Sequence, residues 1–253
     1  MTDLAPTPRP DSRSPARGRS RWFDRVDPLT SLYLVLPLFV FYQLGILTQV
    51  HCDSNQCQWV ENGADFLTAS VMSLAGGSLL AYAAIMVGVA GGLWIAIVWA
   101  RRRARLHPRM FVPVLFESAA YATLLGPLVV GLEHAMGLGA SGASGPFGNV
   151  IASCGAGLHE ELVFRVGLFA GGAVLLRRAG VSSLRSALVA GAVSSVLFAL
   201  AHHVGPFGER FSVHALVFRT LAGVVFAVIY RTRGFAHAAW THALYDVWVF
   251  AIT

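Results

Sequence analysis

The chain has 253 residues, of which 55% are hydrophobic and only 13% are charged, and its mean hydropathy is +0.61. Such a composition is too apolar and too weakly charged for a soluble globular domain. The net charge of +6 does not indicate nucleic-acid binding, because all 19 basic residues are arginines scattered between apolar runs instead of gathered on one face. These arginines are better explained as a signal of membrane topology.

The N-terminal residues 1–27 are rich in proline, serine and arginine and have no apolar periodicity. This pattern predicts a disordered basic arm. The arm is too long and too polar before the first apolar run to be a typical cleaved signal peptide. We therefore divide the chain into this arm and a membrane-embedded domain, residues 28–253.

Six separated apolar runs are each about 20 residues long, the length that crosses a bilayer, and a seventh, shorter run is predicted to cross as well. The predicted spans are 29–50, one within 67–100, 110–132, 151–176, 184–203, 213–230 and 235–252. A Gly/Ser-rich loop is predicted at 137–149. The fold class expected is all-α: a polytopic transmembrane helical bundle with about seven spans.

The arginines alternate between the connecting segments. The N-terminal arm and the segments 101–109, 177–185 and 231–233 hold nearly all of them, and the intervening loops hold only Arg210. By the positive-inside rule, the N-terminus is cytoplasmic and the protein is a multi-pass protein of the cell membrane.

The first connecting loop carries Cys52 and Cys57. A disulfide between them is permitted if this loop lies outside the cell, and two free thiols fit the sequence equally well. No further Cys or His at metal-site spacing supports a zinc-ligand role for the pair.

Three charged residues lie inside the fourth apolar run: Glu160, Glu161 and Arg165. Burying such groups in hydrocarbon is costly, so they usually face a protein interior or a watery cavity and mark function. Glu161 and Arg165 are four residues apart on a helix and can pair, which lowers that cost. Glu160 points about 100° away from Glu161 on the helix and lacks that local partner. An unpaired carboxylate in a poorly solvated pocket suits a general base. A purely structural ion-pair network is the alternative.

Two other spans add polar side chains. The fifth ends at His202, one helical turn after Phe198, and the last contains His242 and Asp246 four residues apart. The third span also carries Glu117, either at the membrane interface or facing the polar interior. Independent buried charges would each need their own compensation, so the groups on the fourth, fifth and last spans predict one shared pocket.

These residues form three motifs: Glu160-Glu161-x-x-x-Arg165, Phe198-x-x-x-His202 and His242-x-x-x-Asp246. In order and separation they resemble the EExxxR, FxxxH and HxxxN/D motifs of the CPBP (CAAX protease and bacteriocin-processing, or Abi) family of intramembrane proteases. The resemblance covers about residues 111–252. One departure is that Asp246 stands where the prenyl-protein endopeptidases have asparagine.

The resemblance implies a role for each residue. Glu160 would activate a water molecule that His202 also holds, and His242 with Asp246 would stabilise the oxyanion. Glu161 and Arg165 would support the site, and orienting His242 is the safer role for Asp246.

Metal dependence is left open by the sequence. Glu160, His202 and His242 are also a plausible zinc set, as in metalloproteases that leave one coordination position for water. No local HExxH pair is present, which favours metal-independent catalysis with no cofactor required.

The predicted function is that of an intramembrane endopeptidase acting on a membrane-anchored protein or peptide. One alternative is a non-catalytic peptide-binding or immunity protein, which the complete set of polar residues disfavours. The other alternative is a proton-coupled transporter, which the lack of an internal repeat disfavours. The predicted spans place Glu160 and His202 near the outer end of the bundle, whereas the prenyl-protein proteases open toward the cytosol. An outward-facing site, a broken fourth run or an inverted topology would each explain this.

Overall fold

The computed structural model describes residues 24–48, 51–53, 56–58, 66–135, 145–204 and 210–252. The helices are α1 (Pro28–Leu34), α2 (Leu36–Thr48), α3 (Phe66–Leu74), α4 (Leu79–Ala100), α5 (Phe111–Ala135), α6 (Gly145–Gly155), α7 (Gly172–Arg178), α8 (Ser183–Ala201), α9 (Val213–Arg233) and α10 (Phe235–Ile252). A 3₁₀ turn, Pro108–Met110, precedes α5. The prediction of an all-α membrane bundle is confirmed. Most of the N-terminal arm lies outside the described residues.

The fourth predicted span is part of one continuous helix. Between α6 and α7 the backbone is π-helical, over Ala156–Glu160 and again over Leu162–Gly171. The helix begins at Gly145, so the end predicted for the preceding loop, residue 149, is wrong, and residues 137–144 lie outside the described part of the chain. A break in the fourth run finds no support, because the helix is continuous to Arg178.

Five helices in the described part of the chain are long and apolar enough to cross a membrane. They are Pro28–Thr48, Leu79–Ala100, Pro108–Pro127, Ser183–Ala201 and Val213–Arg233. The other two predicted spans, 151–176 and 235–252, are helical but do not meet this standard. Both carry the buried polar residues of the motifs, which lower their hydropathy.

The long apolar run 67–100 is divided into α3 and α4 by a turn. Gly76 and Gly77 lie in this turn with φ of 62° and 74°, a conformation that is costly for residues with a Cβ. Ser78 then caps α4, since its hydroxyl accepts a hydrogen bond from the Ala81 amide at 3.3 Å.

The first connecting loop contains two short antiparallel strands, β1 (His51–Asp53) and β2 (Gln56–Gln58). Their register sets Cys52 opposite Cys57 along the backbone. Whether the two thiols are joined stays a prediction.

The arginine-bearing segments meet at one end of the bundle, which we call the arginine end. The Val26 amide donates to the Arg233 carbonyl at 3.0 Å, and the His107 amide donates to the Thr30 hydroxyl at 3.3 Å. The first turn of α8 and the last turn of α9 border one groove at the same end. A shared end is what the positive-inside rule requires of these segments, and the side of the membrane on which it lies stays a prediction.

Glu117 lies in the second turn of α5, near the arginine end and not among the motif residues. The guanidinium of Arg233 donates to both of its carboxylate oxygens, one of them at 2.6 Å from Nε. Tyr121 also donates to this carboxylate, and His237 Nε2 lies 3.2 Å from it. We call this group of residues the clasp, because it ties α5 to the turn between α9 and α10.

Candidate active site

The two neighbouring glutamates lie where two π-helical stretches meet. Its i→i+5 hydrogen bonds put more residues in each turn, so successive side chains diverge by less than the roughly 100° of an α-helix. Glu160 and Glu161 are both buried, with 1% and 0% exposure, and both face α10. The α-helical divergence of about 100° between the two side chains stays a prediction. Ser194 of α8 supports this backbone by donating to the Phe164 carbonyl at 2.5 Å.

The helix that carries the glutamates packs closely against α10, the last helix, at Gly157. A Cβ on Gly157 would lie 2.5 Å from the Ala239 carbonyl oxygen and 2.7 Å from the Ala243 Cβ. Only glycine permits this backbone approach. His242 lies beside Ala243 on α10 and is thereby held against the glutamate pair.

The carboxylate of Glu160 lies between two imidazoles. Its Oε2 is 3.7 Å from His202 Nε2 and 3.9 Å from His242 Nε2. Both distances exceed that of a direct hydrogen bond, and contacts of this length in a polar site are commonly bridged by water. The three groups, from three helices, border one common point.

The imidazole of His202 is oriented by the end of its own helix. Nδ1 lies 2.9 Å from the Phe198 carbonyl, which can only accept, so Nδ1 carries the proton. Nε2 of the neutral ring is then an acceptor and faces Glu160. The Phe198 ring packs edge-on against this imidazole, with ring centroids 4.9 Å apart.

The imidazole of His242 is held by Glu161. Its Nδ1 lies 2.9 Å from Glu161 Oε1, and Arg165 Nε lies 3.1 Å from the other oxygen of that carboxylate. Arg165 is fully buried and also donates to the Gly223 carbonyl at 3.3 Å. Sequence reasoning placed Glu161 and Arg165 in support of the site but assigned the orientation of His242 to Asp246, whereas the hydrogen bond comes from Glu161.

Asp246 lies on the other side of the same imidazole. Its Oδ2 is 3.7 Å from His242 Nε2, the nitrogen that faces Glu160. The structure therefore brings together all four residues singled out as catalytic, Glu160, His202, His242 and Asp246, around the two Nε2 atoms.

One aromatic residue of this site was missed from the sequence. Phe226 of α9 stacks on the His242 ring, with centroids 4.5 Å apart and planes 16° from parallel. The Arg165 guanidinium lies over both Phe198, at 4.7 Å, and Phe226, at 5.6 Å. Nothing in the apolar sequence of α9 distinguishes Phe226 from a residue that faces lipid.

The site lies far from the arginine end. His202 follows the 19 residues of α8, so it lies about 28 Å along that helix from the arginine end, and Glu160 lies 3.7 Å from its Nε2. The hydrocarbon core of a bilayer is about 30 Å thick. The site therefore sits near the opposite face of the bundle.

Glu160, His202 and His242 offer a possible set of metal ligands. A carboxylate and two imidazole nitrogens are ligands that zinc accepts. In the part of the chain that the structure describes, no group of three or more His, Cys, Asp or Glu side chains has the geometry of a metal site. Glu160, His202 and His242 thus have the ligand chemistry of a zinc site without its geometry, and metal-independent catalysis stays a prediction.

A multi-pass helical membrane protein with a buried cluster of glutamates and histidines falls in the class that contains the membrane-embedded proteases. The family model described as Rce1-like, type II CAAX prenyl endopeptidase, matches residues 143–248. This stretch contains all three motifs, and the match confirms the resemblance to the CPBP family. It begins later than residue 111, where the resemblance was expected to start. No curated protein and no solved structure gives a significant match.

Proposed function

We propose that this protein is an intramembrane endopeptidase that hydrolyses a peptide bond of a membrane-associated protein or peptide. The observation that carries the proposal is the meeting of Glu160, His202 and His242 from three separate helices at one buried point. The family match supports the reaction class, because the matching family is one of endopeptidases.

In the proposed reaction, a water molecule lies between Glu160 and His202. Glu160 takes one proton from the water while the water oxygen attacks the carbonyl carbon of the substrate. His202 Nε2 accepts a hydrogen bond from the other O–H of the water. The proton taken by Glu160 is then transferred to the nitrogen of the leaving amine as the C–N bond breaks. The carbonyl product keeps the hydroxyl oxygen, so atoms and charge balance.

The tetrahedral intermediate requires a donor for its oxyanion. Nε2 of a protonated His242 faces the site and supplies one. Glu161, on Nδ1, and Asp246, beside Nε2, compensate the charge of this imidazolium. Arg165 in turn pairs with Glu161, which lowers the cost of burying both charges.

Zinc is the alternative source of the nucleophile. Glu160, His202 and His242 would hold the ion, which supplies a Lewis acid that activates bound water. Metal analysis of purified, active protein decides between the two routes. Stoichiometric zinc that is lost together with activity would overturn the metal-independent route.

Substitutions at the proposed base and its partner test the function. Glu160→Gln keeps the size of the side chain but removes the base, and His202→Ala removes the second water contact; each should lower cleavage by at least about a hundredfold. His214→Ala, at an exposed position on α9, is the matched control and should retain activity. Comparative proteomics of membrane peptides from wild-type and Glu160→Gln cells would reveal the substrate as a peptide that stays uncut.

Full activity in both site variants would contradict the assignment. Retained peptide binding with no cleavage in the wild type would instead favour the non-catalytic binding or immunity protein.

A further inference from the structure

A second concave feature lies between α8 and α9 at the arginine end. It is a groove of about 750 Å³, half open to the outside of the bundle. Phe169 forms its floor, and its walls consist mainly of aliphatic and small side chains such as Ala187, Gly191 and Ala227. We call it the α8–α9 groove.

The groove exists because the two helices pack closely at one level and bear small residues at another. At Gly223 an added Cβ would lie 3.1 Å from the Ser195 backbone, so α8 and α9 are in backbone contact there. Toward the arginine end, alanine and glycine leave the space between the helices unfilled. A Cβ on Gly191 would lie 3.7 Å from the Phe169 ring, within ordinary contact of the floor.

One end of the groove is positively charged. Arg231, Thr232 and Ser183 line it there, and Ser183 is the first residue of α8. The preceding residue, Ser182, makes no side-chain capping bond, so the first-turn amides of this 19-residue helix point their N–H groups toward that end. The positive charge of Arg231 adds to that of the helix end.

The stretches of sequence that form this end of the groove carry few acidic residues. The sequence has no Asp or Glu between Glu161 and Glu209, nor between Glu209 and Asp246. None of the ion pairs formed by the described residues includes Arg231. A cationic end on an apolar groove within the membrane matches an amphiphilic anion.

We infer that the α8–α9 groove binds an acyl chain of an anionic phospholipid, with the lipid phosphate at Arg231 and the first turn of α8. Basic pockets between membrane helices commonly bind anionic lipid headgroups, and helix N-termini bind phosphate. Between Ser183 and Ala192 the groove follows nine residues of α8, about 14 Å, which is close to the hydrocarbon thickness of one leaflet.

The occupant is a lipid and not the cleaved part of a substrate, because the groove is distant from the candidate active site. Ser183 lies 19 residues before His202 on the same helix, about 28 Å away. The inference therefore does not depend on the proposed proteolysis, and its test measures binding and not cleavage.

Native mass spectrometry of the detergent-purified chain, titrated with phosphatidylglycerol or with phosphatidylcholine of the same acyl chains, tests the headgroup site. We expect one saturable phosphatidylglycerol and a clear preference for it over phosphatidylcholine. Arg231→Gln should weaken phosphatidylglycerol about fivefold, the usual effect of one arginine near an anionic lipid. Arg102→Gln makes the same charge change at the same end of the bundle, away from the groove, and should leave the affinity unchanged.

A second pair of variants tests the acyl-chain site. Ala187→Trp fills the groove and should abolish the saturable lipid, whereas Val189→Trp, on the exposed face of the same helix, should not. Equal affinity for both headgroups, equal loss in Arg231→Gln and Arg102→Gln, or displacement of the lipid by inorganic phosphate alone would each overturn the inference.

Discussion

The adjacent glutamates Glu160 and Glu161 have different partners, and this difference separates their roles. Glu160 Oε2 lies 3.7 and 3.9 Å from the Nε2 atoms of His202 and His242, whereas Glu161 contacts His242 Nδ1 and Arg165. Under the proposed mechanism, removal of Glu160 should affect the chemistry, and removal of Glu161 should leave the buried charge of Arg165 without its anion.

The variant Glu161→Gln should lose stability as well as activity. Breaking one partner of a buried ion pair costs about 3–5 kcal/mol, because the remaining charge stays buried. Thermal unfolding in detergent should show a lower Tm for Glu161→Gln but not for Glu160→Gln. If the two variants unfold at the same temperature, the Glu161–Arg165 pair does not support the fold in the way described.

At this scale the sequence identified the residues but not their atomic partners. The motifs singled out Glu160, His202, His242 and Asp246, all of which the structure brings together. Which nitrogen of His242 meets which carboxylate depends on how three helices are rotated, and one sequence does not encode that rotation in any local pattern. The stacking of Phe226 on His242 could not be predicted either, because it also depends on how the helices are rotated.

The element on which the site depends is the π-helical stretch between α6 and α7. It presents two consecutive carboxylates to α10, and Gly157 lets that helix approach to backbone contact. An α-helical period gave the correct pairing of Glu161 with Arg165 but did not reveal the π-helical backbone around them. No residue type marks a π-helix in advance, so the sequence could not show this change of period.

Gly157→Ala should separate the π-helical stretch from α10. The added Cβ would lie 2.5 Å from the Ala239 carbonyl, so one of the helices must move, and such overpacking typically costs about 1–3 kcal/mol. Cleavage should fall along with Tm, because His242 moves with α10. At Gly171, in the same stretch, an added Cβ would meet nothing within 4 Å, and Gly171→Ala should behave as wild type. Equal effects of the two substitutions would argue against the close approach as the cause.

For the whole molecule, the clasp joins parts of the chain that are far apart in sequence. Glu117 and Arg233 are 116 residues apart, and Arg233 also donates to the Asp24 carbonyl at 3.4 Å. The N-terminal residues 24–27, α5 and the start of α10 are thereby fixed to one another. Hydropathy alone located the spans, but it could not reveal this pair, since either residue read singly fits a membrane interface.

Glu117→Gln should destabilise the bundle without changing the chemistry of the site. The bidentate pair with Arg233 would be lost, at a cost of about 1–3 kcal/mol for a hydrogen bond to a charged group. His237 lies five residues before His242 on α10, about 7.5 Å away, so activity per folded molecule should be retained. Arg109→Gln, an exposed change at the same end, serves as the control and should leave Tm unaltered. A specific activity that falls as far as in Glu160→Gln would show that the clasp also positions α10.

The distance of about 28 Å between the arginine end and His202, beside Glu160, has a consequence for the fate of a substrate under the proposed function. In the proposed reaction, a site so near the far boundary would require only the last turn of a substrate's anchoring helix to unwind. Nearly the whole anchor then stays behind in the lipid as a stub, and the portion beyond the cut is shed into the water on that side. Under the proposed function, the arginine end would thus set the scissile bond at the opposite surface of the bundle.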